Sequence, residues 1–194
     1  MKNLLAPASL IALLTGCAGE QTMQTVDYVD IERFMGDWYV VANIPTFLEK
    51  DAFNAIESYR LDDDGSIAAT FSFNAGSFDG ERKSYHPRGF IRDASTNALW
   101  GMQFIWPIKA DYRIVYLDED YQHTVVGRQA RDYVWVMSRS PTLADEDFDR
   151  FGALIDDLGY DVSKLQKVPQ QWPQQTAELI GQSPYQASRS SATR

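Results

Sequence analysis

Apolar positions along this chain follow two periods, and the change between them divides the fold. From residue 38 to residue 139, short apolar or alternating runs recur about every 10–15 residues, with turn-forming residues between them. The runs are WYVVANI (38–44), AIESYRL (55–61), IAATFSF (67–73), RKSYHPRGFI (82–91), LWGMQFIW (99–106), YRIVYL (112–117), HTVV (123–126) and VWVMSR (134–139). In the third, Ile67, Ala69, Phe71 and Phe73 share a face; in the fifth, Trp100, Met102, Phe104 and Trp106 do. Asp62-Asp63-Asp64-Gly65 reads as a hairpin turn. Pro87 cannot donate to a ladder and predicts a bulge or an unpaired position. Then the period lengthens: Phe148, Phe151, Leu154, Ile155 and Leu158 fall at helical spacing, and Gly159 is a natural stop. A short run, KLQKV (164–168), adds a last edge strand.

Eight strands with mostly local links and one late helix predict an all-β fold. The expected architecture is an eight-stranded antiparallel up-and-down barrel with one C-terminal α-helix packed on it. A β-sandwich is the alternative; the local hairpins favour the barrel. Eight strands enclose room for packed side chains or one small ligand.

The ends differ from the middle. Lys2 precedes an apolar run, Leu4 to Leu14, the length of a signal-peptide core and shorter than the ~20 residues of a membrane-spanning helix. Leu14-Thr15-Gly16-Cys17 follows and contains the only cysteine. It resembles the lipobox of bacterial lipoproteins. That resemblance implies cleavage before Cys17, a diglyceride on its thiol and an acyl chain such as palmitate on the new amino group. An ordinary secretory signal with a chance cysteine is the alternative. Ala18 stands where, in enteric bacteria, an aspartate often retains lipoproteins at the inner membrane, so the outer membrane is favoured. The expected divisions are a signal peptide at 1–16, a lipidated tether at 17–29, a barrel domain at 30–168 and a disordered tail rich in Pro, Gln and Ser at 169–194. The formal charge of −9 argues against nucleic acid and against electrostatic docking on anionic lipid. Membrane association is left to the anchor.

Within the domain, IERFMGDWYVVANIP (31–45) resembles the first signature of lipocalins, with Gly36-Asp37-Trp38 as its Gly-x-Trp. DYVWVMSRSP (132–141) resembles the third, with Arg139 as its arginine. The middle signature departs: Ala110-Asp111-Tyr112 stands where the family often has Thr-Asp-Tyr. The similarity runs over nearly the whole domain and looks closest to bacterial outer-membrane lipocalins. It implies that Arg139 lies across Trp38 at the closed end while Gly36 leaves room, and that the loop at 45–54 overhangs the mouth with Phe47, Leu48 and Phe53 near the entrance.

Candidate chemistry is thin. His86 and His123 are isolated, and no metal-ligand spacing, nucleophile elbow or phosphate loop is present. Asp62–Asp64 and Asp118–Asp120 read as solvated turns, and the acidic residues at 145–149 suit a helix start. No catalytic residue, metal or cofactor is expected. The positive signal is aromatic: Phe71, Phe73, Phe90, Phe104, Trp106, Tyr112 and Tyr116 are the candidate pocket lining, and Arg82, Lys83, Lys109 and Arg113 are candidate cations at the mouth. The resemblance supplies the ligand class, a fatty acid, lysophospholipid or similar apolar molecule. It also supplies the setting, a lipid-anchored protein on the periplasmic face of the outer membrane. A lipid-modifying enzyme on the same barrel and a structural protein with a filled barrel are the rivals.

Overall fold

The computed structural model describes residues 22–172. The expected signal peptide, Cys17 and the tail from residue 173 lie outside the described residues.

The chain enters along the barrel wall, turns through a short helix α1 (Ile31–Phe34), and then builds strands β1 (Gly36–Ile44), β2 (Ala52–Leu61), β3 (Ile67–Ala75), β4 (Arg82–Tyr85), β5 (Arg88–Ile91), β6 (Leu99–Ile105), β7 (Ile108–Leu117), β8 (His123–Gly127) and β9 (Val134–Ser138). Helix α2 (Asp145–Asp157) and a two-residue strand β10 (Gln166–Lys167) complete it. All pairings are antiparallel between neighbours, and β1 pairs with both β2 and β9, which closes the sheet. β4 and β5 are two halves of one stave, since both pair with β3. The break falls at His86-Pro87, where the missing N–H interrupts the ladder. The barrel therefore has eight staves, in the expected order and with the expected closing helix.

Inward residues such as Trp38, Val40, Ile67, Phe71, Trp100 and Ile114 form the interior core. On the outside, α2 covers β1 and β7–β9: Phe151 and Ile155 are fully buried against Val125, Val134 and Val136. Burying each of those two side chains contributes about 1.5–3 kcal/mol. Asp145, Glu146 and Asp147 in the first turn complement the helix dipole, and Gly159 ends the helix at φ 86°.

Both ends of the domain reach beyond the expected bounds. Residues 22–29, expected as tether, pack on the barrel. Met23 and Val29 are buried, and the Val26 and Val29 amides donate to the Ile114 and Thr96 carbonyls. At the other end, β10 pairs with β1 at Ala42 and Asn43, where β2 has left it. Beyond it, the Pro169 carbonyl accepts from the Asn54 amide, and the Gln170 amide group donates to the carbonyls of Val40 and Ala55. The segment thus stitches a seam that would otherwise leave backbone groups unpaired.

Candidate functional site

The closed end is set by the first element. Gly36 sits at φ 92°, which favours glycine, and a Cβ there would touch the Arg139 guanidinium at 3.4 Å. Arg139 lies over Trp38 with its guanidinium carbon 3.8 Å from the ring centroid, and donates to the carbonyls of Arg33, Phe34, Met35 and Asp37. The Trp38 indole donates to the Phe34 carbonyl at 2.8 Å. Above this plug, Trp100 stacks on Tyr112 with ring centroids 5.3 Å apart, and the hydroxyls of Tyr59 and Tyr112 are 2.6 Å apart.

On that floor stands a cavity of about 310 Å³, at the lower end of the roughly 300–1,000 Å³ usual for small-ligand sites. Its walls include Phe71, Met102, Tyr112 and Met137, and Phe47, Leu48 and Phe104 stand at its mouth. Three carboxyls, Glu49, Glu57 and Asp111, interrupt the apolar wall. Glu57 alternates with Ala55 and Tyr59 on the inward face of β2 and lines the cavity. Burial pushes its pKa up from 4.5 to about 8; the nearby Glu49 carboxylate adds to the shift, and a hydrogen bond with Tyr59 opposes it. Glu57 retains some exposed area because it faces the cavity, whose largely apolar walls do little to stabilise the ion. The same burial, with Glu57 as the next cause, raises the Tyr59 and Tyr112 hydroxyls well above their ordinary range, so both stay protonated.

Glu49 comes from the β1–β2 loop at 45–51 and is buried. It accepts from the Trp135 indole at 2.8 Å, the Thr46 hydroxyl at 2.8 Å and the Asn43 amide at 3.2 Å. Burial raises its pKa against the pull of those three donors. These bonds fasten the loop across the mouth. Arg128 also lines the cavity, bound to Asp132 at 3.0 Å, and its Nε is buried with no hydrogen-bond partner. Asp111, another lining residue, is occupied by Arg113 at 2.8 Å and the Gln129 amide at 2.7 Å.

The sequence-expected lining residues divide. Phe71, Phe104 and Tyr112 line the cavity. Phe73 is an interior residue beside Phe71 and lines a second hollow under the β1–β2 loop. Phe90 is not in the cup: Gly89 takes the inward position on β5, and the Phe90 ring carries the Lys109 ammonium 3.4 Å from its centroid. Trp106 lies outside too, because a bulge between Met102 and Ile105 breaks the alternation before the hairpin tip. Tyr116 follows a bulge between Ile114 and Tyr116, which turns it outward onto Phe151 of α2 at 5.4 Å. Of the candidate cations, Arg82 donates to the Asn54 carbonyl, Lys83 pairs with Glu81, Lys109 sits on Phe90 and Arg113 is held by Asp111; none lines the cavity. Glu49, Glu57, Arg128 and Trp135 were not singled out from the sequence. Glu57 and Trp135 were accessible by parity, through AIESY and VWVM. Glu49 and Arg128 lie on loops, where no period places them.

His86 meets Thr70 and His123 meets Asp118, both away from the cavity. Among the described residues no three His, Cys, Asp or Glu side chains gather as a metal-binding group.

A closed eight-stave barrel, plugged at one end by a tryptophan–arginine stack and open at the other into an apolar cup, is the architecture of a lipocalin. Residues 29–170 match the family model of the lipocalin-like domain, and the chain belongs to that family. It is 31% identical to temperature-induced lipocalin-1 of Arabidopsis thaliana over 166 residues, 78% of this chain and 84% of the relative. It is 30% identical to outer membrane lipoprotein Blc of Escherichia coli K12 over 168 residues, 84% of this chain and 93% of the relative. Among solved structures, insecticyanin of the tobacco hornworm Manduca sexta superposes with a TM-score of 0.61 at 14% identity, covering 79% of this chain and 86% of its own. The cockroach allergen Per a 4 gives 0.56 at 18% identity, covering 79% and 97%. At these identities the two structures speak for the fold alone.

Proposed function

We propose that this protein is a non-catalytic carrier of a single-chain lipid, a fatty acid or lysophospholipid, held to the periplasmic face of the outer membrane through acylated Cys17. The observation that carries the reading is the cavity: apolar walls, a closed aromatic floor and one open end suit an acyl chain entering tail first. Family membership supports an apolar ligand. The lipobox and the likeness to an outer membrane lipoprotein support the anchor and the location.

The polar groups order the ligand. Glu57 is uncharged at neutral pH and sits beside the deep wall, where a ligand carboxylate would be poorly solvated. The only cation among the described cavity-lining residues is Arg128, in the β8–β9 loop at the open end. The acyl tail is therefore placed toward Tyr59 and Tyr112, and the phosphate or carboxylate of the head toward Arg128.

Glu57 also favours a second reading, a lipid-modifying enzyme, because a carboxyl protonated at neutral pH can act as a general acid. Against it, no His, Ser or Cys side chain lines the cavity among the described residues, and the lining Thr46, Glu49 and Asp111 are engaged, Glu49 with Trp135, Thr46 and Asn43, and Asp111 with Arg113 and Gln129. Mass spectrometry of organic extracts from the purified protein tests both. The carrier reading expects a co-purifying single-chain lipid, and an added lysophospholipid returned intact after prolonged incubation. Turnover of that lipid would replace the carrier by the enzyme; purification without lipid and no binding of added lipid would overturn both.

A further inference from the structure

The barrel's most exposed large apolar side chains gather at one end. Phe47 is 76% exposed in the β1–β2 loop, and Ile105, Trp106 and Ile108 are 72%, 83% and 68% exposed at the β6–β7 hairpin tip. Phe47 and Ile105 also line the cavity, so the patch is continuous with its mouth. A contiguous apolar rim of this kind marks a surface that meets another apolar phase.

The amino-terminal segment indicates which phase. The Met23 amide donates to Gln129 at 2.9 Å, and its carbonyl accepts from Arg113 at 3.0 Å. Gln129 belongs to the β8–β9 loop, which lies at the open end because Val134 pairs with Ile44. From Met23 the chain descends the wall, through Val26 beside Ile114, to Val29 beside Thr96 near the closed end. Only residues 18–22 separate Met23 from Cys17, at most about 20 Å of extended chain. An acyl group on Cys17 would therefore draw the open end, not the plugged end, against lipid.

We propose that this rim is a bilayer-docking face: Phe47, Ile105, Trp106 and Ile108 enter the interface of the membrane that holds the anchor, so that the cup opens directly onto lipid. Its orientation rests on the reading of Cys17 as acylated; the affinity of the rim for lipid does not. Tryptophan suits the depth of the lipid head groups. With a formal charge of −9, attraction to the surface must be mainly apolar, so zwitterionic lipid is the appropriate partner. A ligand would then pass between bilayer and cup without crossing water.

A chain starting at Ala18 keeps every element and contact described here, since all lie within residues 22–172. Mix it with vesicles of zwitterionic phosphatidylethanolamine and phosphatidylcholine carrying brominated acyl chains. The expected result is partitioning with quenched, blue-shifted tryptophan emission, little changed by 1 M salt. Trp106→Phe should still partition but lose most of the quenching. Trp106→Ser with Ile108→Ser should lower partitioning by about tenfold or more, while near-ultraviolet dichroism and binding of a short-chain lysophospholipid in solution stay as in the parent. Equal partitioning of parent and double variant overturns the proposal, as does no partitioning by either. A parent dimer in sedimentation that the double variant abolishes would assign the rim to a second copy instead. Partitioning that stands while lysophospholipid binding fails would refute the carrier reading and leave the docking face. The mass of the full-length product separately reads acylation of Cys17.

Discussion

At the scale of single residues, charge buried in an apolar cup makes stability depend on pH. Between about pH 4.5 and 8 the unfolded chain is ionised at Glu57 and the folded chain is not. Folding therefore takes up a proton, and this group's contribution to stability falls as pH rises through that window. Glu57→Gln keeps the size and removes the titration. It should flatten the pH profile of urea unfolding over this range and raise stability near pH 8 by about 1–3 kcal/mol. An unchanged profile would mean that Glu57 is solvated. Arg139 is the opposite case, a cation held by four backbone carbonyls. Arg139→Ala removes the stack on Trp38 and takes a donor from four carbonyls, of which that of Phe34 keeps another, the Trp38 indole, at a cost of about 2–4 kcal/mol. Arg139→Lys should recover only part of it, because an ammonium lacks the planar fork. Both variants should bind lipid normally once folded; loss of binding with full stability would place Arg139 in the site.

At the scale of elements, alternation was readable and its interruptions were not. Period two located the staves, and helical spacing located α2, because each reports which positions meet the core. Phe71 and Tyr112 were legible as inward for that reason. Trp106 and Tyr116 were misplaced because one-residue bulges in β6 and β7 reverse the parity of everything after them, and no local residue announces a bulge. Phe90 failed differently: Gly89 takes the inward slot, packed close to Ile67, Met102 and Trp100. The β1–β2 loop was legible as an overhang but not the way it is fastened, since Glu49 reaches across to Trp135 and Asn43. Glu49→Ala would strand both donors in a buried place. Stability should fall by about 1–3 kcal/mol, amide exchange at 46–52 should quicken, and a bound lipid should dissociate faster. Slow exchange and an unaltered off-rate would show that the loop is held by other contacts.

At the scale of the whole molecule, the two ends of the barrel do different work. The plugged end, with Gly36, Trp38 and Arg139, closes the barrel beneath the cup. The open end gathers the loop fastened by Glu49, the cation Arg128, the apolar rim and the entry of the amino-terminal segment. A carrier requires that division, because the ligand must enter from one side and its tail must stop at a floor. The most direct measurement is calorimetric titration of the lipid-free chain from Ala18 onward with lysophospholipids of increasing acyl length, each kept below its micellar concentration. Each methylene that enters the cup contributes up to about 0.8 kcal/mol. Affinity should thus rise severalfold for every two carbons and level off once the tail reaches Tyr59 and Tyr112, with a negative heat-capacity change on binding. Phe71→Asp should abolish the trend and Asp63→Ala should not. An affinity independent of chain length, with no heat-capacity change, would contradict the placing of the acyl chain in the cup.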